Sequence, residues 1–169
     1  PAAAKNIAVT GATTITGTDI TLNNTANNFK DAVGVTTTGS DVVLVDAGAI
    51  ELGASTVTGT YQVTAGGAVT QSGALTIMGA TTITADSAGT KQDVTLTDAS
   101  NNFQGAVRVA GAAVQLRDTN DLVLGTTTTT GSYTVTAGGG DITITLSARG
   151  WLARVSRGGT CMVRLTRSV

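Results

Sequence analysis

The residues best suited to chemistry in this sequence are acidic and basic side chains close together in its second half. Asp118 and Asp121 lie three residues apart, Arg117 directly precedes the first of them, and Arg108 stands on an earlier apolar run. Two carboxyl groups about 5 to 9 Å apart suit glycoside hydrolysis, and a basic side chain can remove the proton in a polysaccharide lyase. Asp118, Asp121 and Arg117 are therefore the candidates for a polysaccharide hydrolase or lyase.

The same aspartates also have a structural interpretation. Asp118-Thr119-Asn120-Asp121 has the composition of a turn, in which an Asp side chain accepts a hydrogen bond from the backbone two residues on. Asp46 precedes Ala47-Gly48-Ala49 in a similar setting earlier in the chain, where the second acid is missing. Turn formation accounts for both sites, so the favoured expectation is a protein without catalytic residues.

The composition removes most other catalytic chemistry. The 169 residues contain no His, so the usual general base, the usual zinc ligand and any Ser-His or Cys-His pair are absent. The single cysteine, Cys161, cannot form an internal disulfide. The sequence has no glycine motif for phosphates or dinucleotides and no metal-ligand spacing. We therefore expect no cofactor, no bound metal and no nucleic-acid partner.

The chain contains nearly the same sequence twice. Asn27-Asn28-Phe29 returns as Asn101-Asn102-Phe103, and Thr64-Ala65-Gly66-Gly67 returns as Thr136-Ala137-Gly138-Gly139. Tandem repeats of this kind are typical of solenoids, in which each unit buries its apolar side only against its neighbours. The predicted domains are a repeat region, 1–148, with copies at about 7–76 and 77–146, and an atypical segment, 149–169.

The elements that position these residues are short β-strands. Apolar and polar residues alternate in runs such as Asp41-Val42-Val43-Leu44-Val45, and no segment has helical periodicity with caps. A period of two places the aliphatic side chains on one side of each strand. The sequence predicts an all-β, single-domain fold: a single-stranded parallel, right-handed β-helix built from two tandem repeats of about 72 residues. If three coils make one repeat, a coil has about 24 residues.

Stacked aliphatic columns are expected to fill the interior of these coils. The predicted inward residues are Val33, Val35, Val42, Leu44, Ile50 and Leu52 in the first copy, and Val107, Val109, Val114, Leu116, Leu122 and Leu124 in the second.

The Asn-Asn-Phe motif is interpreted as structural in both copies. Asn tolerates a left-handed backbone and stacks in amide ladders, so Asn28 and Asn102 are expected at coil corners together with the asparagines that precede them. Phe29 and Phe103 would then fill the interior beside those corners. Only the surface amides favour the alternative, a ligand-binding role.

The last segment, 149–169, departs from the repeat. It carries five Arg and no acid, a net charge of +5, whereas residues 1–148 carry five Lys or Arg against eleven acids, a net charge of −6. Three interpretations stay open: a terminal cap in which Trp151, Leu152 and Val155 cover the last coil, a foreign tail from a cloning junction or a shifted reading frame, and a contact with an anionic surface. The arginines concerned are Arg149, Arg154, Arg157, Arg164 and Arg167.

The repeat resembles a known class of exported protein. The elements NNF-x-x-AV-x-V, V-x-L-x-D, L-G and Y-x-VTAGG-x-x-T-x-SG, within about residues 7–146, are similar to the β-strand repeats of filamentous-haemagglutinin-like adhesins of two-partner secretion and of autotransporters. The resemblance implies a right-handed parallel β-helix, a secreted or surface-exposed bacterial protein, and adhesion to a host or cell-surface glycan or protein. It implies no catalytic residues.

Two other functions remain as alternatives to a structural, adhesive segment. One is a carbohydrate-active β-helix that binds or cleaves a polysaccharide along one side. The other is ice binding through Thr-x-Thr motifs such as Thr14-Ile15-Thr16 and Thr82-Ile83-Thr84, which requires the motif at one register in successive coils. No run approaches the roughly 18 apolar residues of a spanning helix, so we expect no membrane span.

Overall fold

The computed structural model describes residues 5–144 and 159–162, and for the second range it describes only the backbone. In these residues the chain forms short β-strands and no helix, and the strands stack in parallel as a β-solenoid of about seven coils. The predicted all-β parallel fold with two tandem repeats is confirmed. None of the described residues belongs to a helix long and apolar enough to cross a membrane.

Three stacks of parallel strands form the sides of the solenoid, and the chain visits them in turn. Stack A contains β2 (Thr13–Gly17), β5 (Val33–Thr37), β8 (Ser55–Val57), β11 (Leu75–Ile77) and β15 (Asn102–Phe103). Stack B contains β3 (Ile20–Leu22), β6 (Val42–Asp46), β9 (Tyr61–Ala65), β12 (Thr81–Ser87) and β16 (Val107–Gly111). Stack C contains β7 (Ile50–Leu52), β10 (Val69–Gln71), β14 (Val94–Leu96), β17 (Val114–Asp118) and β20 (Tyr133–Ala137).

The remaining strands extend or decorate these stacks. The first, β1 (Ala8–Val9), pairs with β4 (Asn28–Phe29). Stack B continues from β16 into β18 (Leu122–Leu124), β21 (Ile142–Ile144) and the short β19 (Thr128–Thr129). Two strands run antiparallel to their partners: β13 (Thr90–Lys91) pairs with β12, and β22 (Gly159–Met162) pairs with β20.

A hairpin interrupts the coil that follows β12. Its strands β12 and β13 are joined at Ala88 and Gly89, whose φ angles of 49° and 88° are both positive. A two-residue turn with positive φ at both positions matches the right-handed twist of a hairpin. Lys91 forms an ion pair with Asp86 across it, at 2.7 Å.

The coil is shorter than the sequence predicted. At most positions the register partner in the next coil follows after about 20 residues, as for Val42 and Tyr61 or Tyr61 and Thr81. The separation is larger between Thr81 and Val107, because the β12–β13 hairpin lies in that coil. Dividing the length of the repeat by three therefore overestimated the coil length, because the repeat contains two ordinary coils, one enlarged coil and an extra strand.

One sequence repeat corresponds to three coils and one further strand. Val42 lies in stack B and leads, one coil at a time, to Tyr61, Thr81 and Val107 in the same stack. Its counterpart Val114 is one strand beyond Val107 and lies in stack C. Equivalent residues of the two copies therefore occupy adjacent sides of the solenoid and do not stack over one another.

Apolar side chains fill the interior, as the alternation of apolar and polar residues along the strands predicts. All twelve residues predicted to face inward are at most 2 % exposed, so this prediction is confirmed. Phe29 and Phe103 are also buried, at 2 % and 1 % exposure. The aromatic side chains that the structure describes, including Tyr61 and Tyr133, are all at most 5 % exposed.

The described part of segment 149–169 is the strand β22. It runs antiparallel to β20, with Val135 opposite Cys161, so it covers the free edge of stack C with a strand of opposite direction. Trp151 and the five arginines of this segment, on which the cap, foreign-tail and anionic-surface interpretations depend, lie outside the described residues.

Candidate functional site

An open cleft lies where three successive coils turn a corner after stack C. It has a volume of about 410 Å³, and its lining residues are Asn102, Phe103, Gln104, Asn120, Asp121, Gly139 and Gly140. Gln104, Asn120 and Asp121 are exposed, and Asn102 is half-buried. One of the three catalytic candidates, Asp121, lines the cleft.

Asp118 lies beneath this cleft and is fully buried, with 0 % of its surface exposed. Its Oδ2 accepts a hydrogen bond of 2.6 Å from the Phe103 amide in the coil below, and its Oδ1 accepts one of 2.7 Å from the Asn120 amide. Burial raises the pKa of the Asp118 carboxyl, the two amide hydrogen bonds act in the opposite direction, and the charge of Asp121 adds to the rise. Both carboxyl oxygens are thus occupied by backbone donors.

The first copy contains the same arrangement. Asp46 is 2 % exposed, and its Oδ2 accepts from the Phe29 amide at 2.6 Å while its Oδ1 accepts from the Gly48 amide at 2.7 Å. The bond to the residue two positions on makes an Asx-turn, and the bond to phenylalanine ties one coil to the next. The Asp of each V-x-L-x-D motif therefore stabilises a corner. The sequence predicted its hydrogen bond within the turn but not its hydrogen bond to the next coil.

Asp121 is exposed and also makes a bond between coils. Its Oδ1 accepts from the Asp141 amide at 2.8 Å. Asp41 and Asp93 do the same elsewhere, accepting from Thr60 at 2.7 Å and from Ala113 at 3.0 Å. Hydrogen bonds from Thr60 lower the pKa of the exposed Asp41 carboxyl.

This role of exposed aspartates was missed in the sequence, although a signal was present. Asp is followed by an aliphatic residue, any residue and another aliphatic residue at several strand starts. These segments are Asp19-Ile20-Thr21-Leu22, Asp41-Val42-Val43-Leu44, Asp93-Val94-Thr95-Leu96, Asp121-Leu122-Val123-Leu124 and Asp141-Ile142-Thr143-Ile144. The pattern indicates a corner residue directly before an inward-facing strand, where a carboxylate can reach the neighbouring coil.

The two arginines lie on different sides of the solenoid. Arg117 is exposed on the outer side of β17, where Thr136 is its register partner. Arg108 is exposed on β16, and its stem crosses the backbone at Gly125. Neither arginine forms an ion pair within the part of the chain that the structure describes. Arg117, Asp118 and Asp121 are thus close in sequence but separate in orientation, burial and partners.

The asparagines of the Asn-Asn-Phe motif divide into a buried and a half-buried residue. Asn27 is buried: its Oδ1 accepts from the Ile7 amide at 2.9 Å and its amide nitrogen donates to the Leu22 carbonyl at 3.1 Å. Asn101 is placed in the same way, accepting from the Leu75 amide at 2.9 Å. Asn28 and Asn102 are half-buried strand residues beside the buried phenylalanines.

One of the two reasons expected for asparagine at these corners, a left-handed backbone, was wrong. The non-glycine residue with positive φ in the described chain is Ala88, so none of the four asparagines adopts the left-handed backbone. Asn27 and Asn101 are required instead for their amide groups, which bond two backbone segments of different coils at once. In the second copy Asn101 also exchanges hydrogen bonds with the side chain of Gln71.

The cleft can therefore bind polar groups, but it brings few catalytic groups together. Asp121 is the one carboxylate in its lining, and Asn102, Gln104 and Asn120 add amides that donate and accept hydrogen bonds. Hydrolysis by a pair of carboxyl groups needs two that both reach the substrate, and Asp118 is buried under two backbone donors. No group of three or more His, Cys, Asp or Glu suited to a metal ion occurs in residues 5–144.

Comparisons with known proteins identify a family but no activity. Searches of curated proteins and of solved structures found no significant match. The family of repeats of unknown function named DUF5649 matches three segments, 3–36, 39–110 and 111–168. The second and third segments begin at equivalent positions of the two copies, and together the three cover almost the entire sequence. The chain therefore belongs to the DUF5649 family of repeats.

Proposed function

We propose that this chain is a non-catalytic structural and adhesive segment of a secreted or surface-exposed bacterial protein. The observation that carries the proposal is the relation between repeat and coil. A repeat of three coils and one strand ends with the chain entering the next side of the solenoid, so another copy can follow with the same parallel pairing. Such a unit is suited to lengthening a rod.

The packing of the core supports this role, because the core is complete without a binding partner. The aliphatic columns are buried, and the corner aspartates and asparagines bond successive coils. In solenoids of this kind stability is approximately a sum over units and their interfaces. Added copies should therefore extend the rod without weakening it.

The adhesive part of the proposal rests on the resemblance to haemagglutinin-like repeats and on the outward side chains. Stacks A, B and C leave an outward residue at every second strand position, available to a host or cell-surface glycan or protein. Export to the cell surface belongs to the same proposal. Glycan binding at the cleft is its second form, supported by the exposed Gln104, Asn120 and Asp121 around an open volume of about 410 Å³.

Insertion of an additional copy tests the structural part. Residues 39–110, duplicated between Ala110 and Gly111, preserve the phase of the repeat. The rod should lengthen by about 16 Å, which is three and one-third coils at roughly 4.8 Å each, in small-angle scattering, with no loss of thermal stability. A control insertion of 39–104 breaks the phase and should unfold or aggregate. If both insertions behave alike, the repeat is not the unit of extension.

Glycan-array binding and assays of reducing-sugar release distinguish adhesion from catalysis. Under the proposal the protein binds glycans or cell surfaces without cleaving them, and Asp121→Asn leaves its stability nearly unchanged. Glycan binding that Asn120→Ala and Gln104→Ala abolish would place adhesion at the cleft. Reproducible cleavage of a polysaccharide that disappears in Asp121→Asn contradicts the proposal and establishes an enzyme.

A further inference from the structure

A ladder of threonines runs along the outer side of stack A. Thr16, Thr36, Thr56 and Thr76 occupy successive coils, and each is the register partner of the next. The first three are exposed and the fourth is half-buried. Register pairing places one threonine per coil in a line along the solenoid, about 4.8 Å apart.

The positions on both sides of this ladder are also small and uncharged. Two residues earlier in each strand or its approach stand Thr14, Gly34, Ala54 and Ala74. Two residues later stand Thr18, Thr38 and Thr58, directly after the strand ends, and the Thr58 amide donates to Thr37 Oγ1 in the coil below at 3.1 Å. We call this surface of residues 14–18, 34–38, 54–58 and 74–76 the threonine face.

The other two sides of the solenoid are different. Stack B presents Gln62 and Arg108 outward, at partner positions of Thr82. Stack C presents Glu51 beside Thr70, and then Gln115 and Arg117 on β17. These sides carry long and charged side chains, whereas the threonine face presents small, uncharged side chains.

We propose that the threonine face binds ice. A β-branched threonine is restricted at χ1, so a line of them in one strand register holds its hydroxyl and methyl groups in a regular array. The ladder repeats at about 4.8 Å along the stack. Water molecules ordered by hydroxyls and methyls at this interval can join the oxygen lattice of ice, which has a similar repeat.

The composition of the face favours ice over other partners. An uncharged surface does not attract a charged protein or membrane. A crystalline polysaccharide is commonly held by exposed aromatic rings that stack on the sugars, and every described aromatic side chain is at most 5 % exposed. What remains is a regular lattice of neutral hydrogen-bonding groups, and ice is the one that needs only hydroxyls and methyls.

The second copy contains the same ladder in an interrupted form. Because the repeat rotates by one side, the equivalents of Thr16, Thr36 and Thr56 lie on stack B as Thr84, Ala110 and Thr128, in register. Ala110 breaks this line, and the neighbouring Arg108 stands where the first copy has Gly34. The chain therefore contains one continuous threonine face and one disabled copy of it, which supplies a matched comparison.

The test uses the full chain with thermal hysteresis, inhibition of ice recrystallisation and partition into slowly growing ice. The wild-type protein should enter the ice and arrest recrystallisation. Thr36→Arg, in the centre of the face, should abolish both effects, whereas the control Thr70→Arg, at an exposed strand position of stack C, should leave them intact. The double variant R108T/A110T, which repairs the second ladder, should increase thermal hysteresis. Circular dichroism and thermal unfolding must show all variants folded.

This inference goes beyond the structural role and can fail separately from it. Exclusion of the wild-type protein from ice, or equal losses in Thr36→Arg and Thr70→Arg, would overturn it even if the repeat insertion lengthens the rod. Sedimentation with crystalline cellulose or chitin without any effect on ice would also overturn it, and would assign the face to a polysaccharide lattice instead.

Discussion

The structure predicts that Thr81→Val stabilises the protein, against the ordinary expectation for a substitution in the core. The reason is that it removes a buried polar group. Thr81 is fully buried in stack B between Tyr61 below and Val107 above. Its Oγ1 has no hydrogen-bond partner. Valine has nearly the same shape, so the substitution removes a desolvated hydroxyl and leaves no cavity.

The magnitude follows from the cost of leaving a buried polar group unpaired, about 1 to 3 kcal/mol. We expect Thr81→Val to raise the free energy of unfolding by about 1 kcal/mol or somewhat more, since the hydroxyl also interacts weakly with its surroundings. With an m-value of about 1 to 3 kcal/mol per molar urea, the midpoint should rise by roughly 0.3 to 1 M.

Urea unfolding followed by circular dichroism measures this effect. Thr82→Val is the matched control, because Thr82 is the next residue of β12 and its half-buried side chain faces outward. It should change stability by no more than about 0.5 kcal/mol. A clear loss of stability in Thr81→Val, with an unchanged m-value, would refute the reasoning by showing that the hydroxyl has a partner in solution.

Three further predictions concern the core, the corners and the response to alkali. Leu124→Ala should cost about 2 to 5 kcal/mol, because Leu124 is 1 % exposed beneath Ile144; the half-buried Val123→Ala should cost much less in the same urea titration. Asp118→Asn should destabilise by about 1 to 3 kcal/mol, since an amide has one acceptor oxygen for two backbone donors; equal effects of Asp118→Asn and the exposed Asp41→Asn would contradict this. Burial raises the pKa of Tyr133 from 10.0 to about 12. The unfolded chain therefore loses this proton first, and up to about 2.7 kcal/mol of stability is lost as the pH rises from 10 through 12; Tyr133→Phe should flatten the pH dependence of the melting temperature in that range.

The corner aspartates illustrate how far the candidate site could be inferred without a structure. The turn composition around Asp118 predicted an Asx-turn, which depends only on residues two positions apart. The second bond of the same carboxyl, to the Phe103 amide, joins residues 15 positions apart through the stacking of coils. That bond leaves Asp118 without a free oxygen, and it could be found only once the coils were placed on one another.

Coil length is the quantity that misled the sequence interpretation most. The insertion that forms the β12–β13 hairpin belongs to one coil, yet it enters the average over the whole repeat. The Thr-x-Thr motifs first considered, Thr14-Ile15-Thr16 and Thr82-Ile83-Thr84, lie on different stacks and have no common register. With the shorter coil of the structure, Thr16-Gly17-Thr18, Thr36-Thr37-Thr38 and Thr56-Val57-Thr58 follow one another at equal intervals.

The sequence by itself determined the fold class and the residues of the core. Alternation of aliphatic and polar residues is a local property of each strand, and the repeat requires units that bury these strands against their neighbours, so the twelve inward residues could be named in advance. Only the tertiary structure decided which residues lie above one another, because register depends on the length of every corner in a coil. Through that register alone Val114 lies in a different stack from Val42, Asp118 has the Phe103 amide as its donor, and four separate threonines form one face.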